Sequence, residues 1–254
     1  MPGLVERLRA AGCVYAEDEA RLLAEVATGE SLERLVRRRV GGEPLEHLLG
    51  WVQFGGLRLA VGPGVFVPRS RTQVLVDVAL EHVSGADAPL VVEVCCGVAP
   101  VGSAVLAARP DAVVHAADLD ARALVHARTN LGPAAGVWCG DLLRPLPAGL
   151  RGRVDVLVAN APYVPTHAIA LMPPEARDHE PHHTLDGGSD GADLHRRIAG
   201  EAASWLAPDG LVAVETGREQ ADTTVEALTR AGLETSVRFD DEVDGTAVLA
   251  RRPR

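Results

Sequence analysis

Residues 90–119 read LVVEVCCGVAPVGSAVLAARPDAVVHAADL, and their reading decides the fold. LVVEVCC is an apolar run of strand length without alternation. A strand buried on one face alternates apolar with polar residues, whereas an unbroken run is buried on both. A turn of small residues follows, then VGSAVLAARP as a helix, then AVVHAADL as a second apolar strand. Strand, helix and strand within about 30 residues form the crossover unit that joins parallel neighbours.

The same rhythm continues downstream. DARALVHARTNLG reads as a helix, GVWCGDLL contains a short strand, and VDVLVAN is another strand. The helix GADLHRRIAGEAASWLAPDG, the strand LVAVET, the helix REQADTTVEALTRAG and strands around LETSVRF and GTAVLARR complete it. The expected fold is α/β, a mostly parallel seven-stranded sheet with helices on both faces. Upstream, a helix is expected from Thr72 over TQVLVDVALEHV.

Before that the period changes. LVERLRAAG and EDEARLLAEVA carry apolar residues at helical spacing. SLERLVRRRVGG adds a helix with Ser31 as its expected cap, and PLEHLLG one further turn. WVQFGGLRLAVGPGVFVP alternates like a hairpin broken by glycines. The expected organisation is a helical domain over residues 1–50, a β-hairpin connector over 51–67 and an α/β domain over 68–254.

At 254 residues and 47% hydrophobic content the chain can bury a full core, and 3% aromatics make that core Val, Leu and Ala. The charge of -10, from 35 acids against 25 bases, argues against a broad phosphate-binding face. The basic cluster Arg37 to Arg39 is expected to be a solvated helix end. No apolar run of 18 residues and no secretory leader is present, so no membrane and a cytoplasmic location are expected. Cys13, Cys95, Cys96 and Cys139 form no CxxC pair.

Ligands of such sheets bind beyond the carboxyl ends of the strands. Three acids stand there. Glu93 places a carboxylate beside a loop in which Cys95, Gly97 and Ala99 are small enough for a ligand to approach the backbone; the plainer alternative is a solvated or capping acid. Asp118, 25 residues on, suits the two hydroxyls of a ribose, with Asp120 as the cap of the next helix. Asp141, in CGDLL, suits the exocyclic amine of adenine, or is a loop carboxylate. Acids at successive strand ends, without a rich glycine loop, fit a nucleoside lacking a pyrophosphate. S-adenosylmethionine, with its ribose, adenine and sulfonium, meets that description.

The fourth strand of the sheet ends in VLVANAPYVP, residues 156–165. The side-chain oxygen of Asn160 and a following backbone carbonyl can both accept from one NH2 group. Such a pair orients a weakly nucleophilic amide nitrogen toward a methyl donor. Pro162 fixes the turn, and Tyr163 supplies a wall for a planar group.

These residues carry a resemblance. The chain is similar to class I S-adenosylmethionine-dependent methyltransferases, and within them to the HemK-type glutamine methyltransferases, which modify the Gln of the Gly-Gly-Gln motif in peptide-chain release factors. Their hallmark Asn-Pro-Pro-Tyr stands here as Asn160-Ala161-Pro162-Tyr163. Pro68, Arg69, Thr72 and Gln73 resemble the family's Pro-Arg-x-x-Thr-Glu motif, with Gln for Glu. EPHHTLDGGSDGADLHRRI and VETGREQ resemble further segments, so the likeness runs from about Gly42 to Arg251. It implies a Rossmann-like fold and cofactor contacts at Thr72, Glu93, Cys95, Gly97, Ala99, Asp118, Leu119, Asp141, Leu142 and Asn160. It further implies a substrate clamp of Asn160, Ala161, Pro162 and Tyr163. The substrate implied is a protein, such as a release factor. Cys95 and Ala99 replace two of the family's loop glycines.

DNA adenine methyltransferases share the tetrapeptide, but the acidic balance and the flanking motifs argue against DNA. Two alternatives stay open at this stage: an N-methyltransferase of a small molecule, and a catalytically silent cofactor-binding module. His179, His182 and His183 near Asp178 and Glu180 do not form an expected metal site, since adjacent histidines diverge in most loops.

Overall fold

The computed structural model describes residues 2–253, so the outermost residues of the expected first and last domains, 1 and 254, lie outside it. The chain begins with α1 (Pro2–Ala10), α2 (Ala16–Val26), α3 (Gly29–Val40) and α4 (Leu45–Leu49). Leu8, Ala16, Leu23 and Val36 close these helices over a small core of their own. Helix α3 starts two residues before Ser31, and Ser31 accepts from Arg34 instead of capping. Arg39 is not solvated. Its side chain is 12% exposed, and the guanidinium holds Glu19 at 2.6 and 3.1 Å, the Glu43 carbonyl at 3.1 Å, and Glu175. Arg37 and Arg38 are exposed as expected, whereas Arg39 ties the helices to a distant segment of the chain.

Strands β1 (Trp51–Phe54) and β2 (Leu57–Ala60) form an antiparallel hairpin. Val52, Phe54 and Leu59 pack into the core beneath the main sheet, not into the helical cluster. Asn130 fastens the hairpin there, accepting from Ala60 N at 2.7 Å and donating to Ala60 O at 3.1 Å.

The main sheet contains β3 (Leu90–Val94), β4 (Val113–Asp118), β5 (Gly136–Cys139), β6 (Val154–Ala159), β7 (Leu206–Glu215), β8 (Glu234–Asp240) and β9 (Gly245–Arg251). Their order is β5-β4-β3-β6-β7-β9-β8, parallel except for β9, which runs antiparallel to both neighbours. Helices α5 (Gln73–His82), α6 (Pro100–Ala108) and α7 (Ala121–Leu131) cover one face. After the short α8 (Pro174–His179), helices α9 (Asp193–Ala202) and α10 (Ala221–Arg230) cover the other. Successive residues of one strand serve opposite cores: Val91 and Val156 face α5 to α7, Val92 and Leu157 face α9 and α10. Every residue of β3 is buried, as its unbroken apolar run required.

One boundary differs from expectation. Helix α9 ends at Ala202, and Leu206 already belongs to β7, although SWLAPDG reads as helix. Trp205 and Leu206 are buried against the sheet, and the pairing with β6 shifts register between Val154 and Val156. Asp209 takes a positive φ of 63° in that irregularity, which lets a strand pass through Pro-Asp-Gly.

Strand order reverses between β3 and β6, with β4 and β5 to one side and β7, β9 and β8 to the other. Chains leave the carboxyl ends of β3 and β6 in opposite directions, and a crevice opens there.

Candidate active site

A cavity of about 200 Å3 occupies that crevice. Of the residues singled out in the sequence, Thr72, Glu93, Cys95, Gly97, Asp118, Leu119, Asp141, Leu142, Asn160, Ala161, Pro162 and Tyr163 line it. Ala99 does not. It is fully buried behind the loop, at the start of α6, where its carbonyl accepts from Ser103 N at 3.1 Å and Ser103 Oγ at 2.6 Å.

The loop after β3 is curled by left-handed residues at alternate positions: Cys95 (φ 51°), Gly97 (φ 53°) and Ala99 (φ 59°). Gly97 takes this conformation freely, whereas Cys95 and Ala99 bear strain of about 1–2 kcal/mol each. The sequence alone argues against positive φ at both. The surrounding contacts impose it: Cys96 N donates to Ala117 O at 3.1 Å, Gly97 N to Asp118 at 2.8 Å and Ala99 N to Cys96 O at 2.7 Å.

Glu93 turns out to be the capping acid. Its carboxylate accepts from Gly102 N at 2.7 Å and Val101 N at 3.3 Å, in the first turn of α6. Burial pushes its carboxyl up to about 8, against the pull of those two N–H groups. Gly102 makes this approach feasible, because a Cβ there would stand 2.9 Å from Val114 and 3.1 Å from Glu93 and Leu131. Asp118 also works for the loop, with one oxygen on Gly97 N and the other on Asp120 N, each at 2.8 Å. Burial raises its carboxyl too. Asp120 caps α7 through Arg122 N, as expected. Asp141 pairs with Arg197 of α9 at 2.5 Å, a partner the sequence gave no reason to expect.

Asn160 follows β6. Its amide Nδ2 donates to the Thr72 hydroxyl at 3.0 Å, which leaves Oδ1 as the acceptor toward the cavity. Thr72 arrives from the turn before α5, 88 residues away in sequence. Ala161 is fully buried, and its carbonyl lies by the buried His195, whose imidazole burial pushes down to about 4. Tyr163 donates its hydroxyl to Glu215 at 3.4 Å and accepts from Arg71 at 3.4 Å. Burial, first, and then the Glu215 charge push its phenol up to about 12.

Two other motifs explain themselves here. Glu180 accepts from Val67 N at 3.2 Å and pairs with Arg69, so the Glu-Pro and Pro-Arg segments are two halves of one contact. Gly187 and Gly191 lie against the backbone of Tyr163, where a Cβ would stand 2.7 Å from its Cα and 2.3 Å from its carbonyl oxygen respectively. Only glycine allows the Asp-Gly-Gly segment to brace the turn so closely. Glu215, Arg71 and His195 escaped the sequence reading of the site, although each falls inside a segment that carries the resemblance; only folding brings them to the turn.

No family model matches the chain. It is 39% identical over 217 residues to a release factor glutamine methyltransferase of Mycolicibacterium smegmatis, covering 85% of this chain and 76% of that protein. Proteins of the same name from Bradyrhizobium diazoefficiens and Deinococcus radiodurans are 35% and 37% identical, over 91% and 90% of this chain and 85% and 80% of their own. Among solved structures, a methyltransferase from Pyrococcus furiosus superposes with a TM-score of 0.58 at 15% identity, over 78% of this chain and 90% of that one. A ribosomal protein L11 methylase from Lactobacillus delbrueckii subsp. bulgaricus gives 0.51 at 16% identity, over 72% and 80%. At such identities the structural likeness speaks for the fold.

Proposed function

Since the chain belongs to the release factor glutamine methyltransferase family, we propose that it transfers a methyl group from S-adenosylmethionine to the side-chain amide nitrogen of a protein glutamine, in the Gly-Gly-Gln motif of a release factor. The observation that carries this reading is the Asn160–Thr72 hydrogen bond. It spends the donor end of the Asn160 amide on the protein and turns the acceptor end to the cavity. An incoming glutamine NH2 needs that acceptor.

The residues fit the cofactor by donor chemistry. The cavity is walled by Asp118 and Asp141 on the loop side, with Leu119 and Leu142 beside them, while Arg69 and Arg71 lie toward the substrate turn. Carboxylates suit ribose hydroxyls and an exocyclic amine, and the small turn at Cys95 and Gly97 admits a close approach. When bound, S-adenosylmethionine supplies an electrophilic methyl on a cationic sulfur. The protein's part is positioning. Asn160 Oδ1 and the backbone carbonyls that follow orient the amide nitrogen and stabilise positive charge developing there. Tyr163 walls the planar amide, and the Asp-Gly-Gly segment keeps that wall in place.

We also assign residues 1–50 to a substrate-recognition domain, residues 51–67 to its connector and residues 68–254 to the methyltransferase domain. The separate core of α1 to α4 supports the division, and the Arg39–Glu175 pair links those helices to the segment after the turn.

The test is incubation with methyl-labelled cofactor and a purified release factor, followed by peptide mapping. Label is expected on the Gln of Gly-Gly-Gln, and Asn160→Ala is expected to lower kcat/KM by ~10²–10³. Label absent from the release factor, or an Asn160→Ala enzyme near the wild-type rate, refutes the reading.

A further inference from the structure

Glu215 ends β7, and the pairing of Val214 with Ala159 of β6 places it beside Asn160 at the carboxyl edge of the sheet. It lines the cavity yet is 1% exposed. Oε1 accepts from Tyr163, whereas Oε2 is buried without a hydrogen-bond partner. A buried carboxyl oxygen left alone calls for an explanation. The Thr72 hydroxyl lies beside the carboxyl and favours its charged form, although it completes no aligned bond with it. That same hydroxyl accepts from Asn160 Nδ2.

A threonine hydroxyl has a single proton to give. Beside an ionised Glu215, which only accepts, Thr72 directs that proton to the carboxylate and receives Asn160 Nδ2 on its lone pair. Asn160 Oδ1 then faces the cavity. A protonated Glu215 reverses the chain. Its O–H donates to Thr72, the Thr72 proton turns to Asn160, and the amide answers with Oδ1. The cavity is then offered an NH2 group, the wrong partner for a substrate NH2.

We propose that Glu215 is a positioning residue whose ionisation, passed through the Thr72 hydroxyl, sets which end of the Asn160 amide meets the substrate. The role of that end in holding a glutamine amide rests on the function proposed above; the relay itself belongs to the free chain. The groups facing Glu215 are few. Arg71 and Tyr163 approach it from the turn before α5 and the turn after β6, and Asp244 stands near Arg71. On the neighbouring strands it pairs with Ala247 of β9 and stands beside Asn160 just past the end of β6. Burial pushes the carboxyl up to about 7, opposed by Thr72, Arg71 and Tyr163.

The sequence offers a clean probe, because Asn130 and Asn160 are its two asparagines. Asn130 donates to Ala60 O and Val98 O, away from the relay, and serves as internal reference. With asparagine side chains labelled with 15N, the Asn160 NH2 signals are expected to move with a single midpoint near neutrality while those of Asn130 stay. In the Glu215→Gln and Thr72→Val proteins that movement is expected to vanish. In methylation assays, kcat/KM is expected to drop about tenfold from one pH unit above the midpoint to one below, and to lose that limb in Glu215→Gln. Asn160 signals that do not titrate, or that titrate alike in Glu215→Gln and Thr72→Val, overturn the relay whatever the acceptor. Titrating signals with no label in the release factor at any pH uphold the relay and overturn the acceptor assignment instead.

Discussion

Replacing Glu215 by Gln is expected to stabilise the protein, and only at high pH. The carboxyl is 1% exposed, and burial moves it from 4.5 to about 7. Below pH 4.5 the group is neutral in both folded and unfolded chains and contributes nothing to the pH dependence. Between 4.5 and 7 the unfolded chain ionises while the folded chain holds its proton, so stability falls as pH rises. Above 7 both are ionised and the loss is complete. At about 1.4 kcal/mol per pH unit the loss amounts to about 3 kcal/mol, a large part of a typical 5–15 kcal/mol. Every other titrating group is shared by the two proteins, so the difference between their stabilities isolates this one. Urea unfolding at pH 5 and pH 8.5 measures it. The advantage of the Gln variant is expected to grow by about 2.5 kcal/mol between those conditions. A difference independent of pH refutes the buried, near-neutral carboxyl, and a wild type that gains on the variant with rising pH refutes the sign.

Three further outcomes follow from packing and strain. Arg39→Met leaves Glu19, whose side chain is 10% exposed, without its partner and is expected to cost about 3 kcal/mol in urea unfolding, with part of the loss recovered in the Arg39→Met, Glu19→Gln double variant. Gly102→Ala is expected to destabilise by about 1–2 kcal/mol despite alanine's better helix propensity, because the new Cβ meets Val114 and Leu131. At Ala99, with its φ of 59°, glycine is expected to stay within about 1 kcal/mol of wild type, whereas valine loses at least ~2 kcal/mol by the same assay.

The sheet was legible because its central strands are apolar on both sides and its turns are rich in small residues. The Trp205 boundary was not, because a buried apolar pair after a helix continues the helical pattern until the sheet claims it. The meeting of Asp118, Asp141 and Asn160 around one cavity followed from their places at strand ends. What each acid does there did not follow. Glu93 became a cap because α6 starts directly above it, and Asp141 gained Arg197 from 56 residues away. Arg39 looked like a surface charge because its partners, Glu19 and Glu175, lie far off in sequence. Glu215 reads as the polar end of a strand; its neighbours Thr72, Arg71 and Tyr163 come from distant parts of the chain.

The cavity wall is gathered from segments scattered between Phe66 and Glu215. None of these segments makes the cavity alone, so it exists only once the sheet has closed. Occupancy is therefore read by the whole fold. A ligand at a hundred times its dissociation constant adds about 2.7 kcal/mol to global stability, and a simple melting curve becomes a binding assay. Cofactor and analogues can be ranked by thermal shift before any acceptor is in hand.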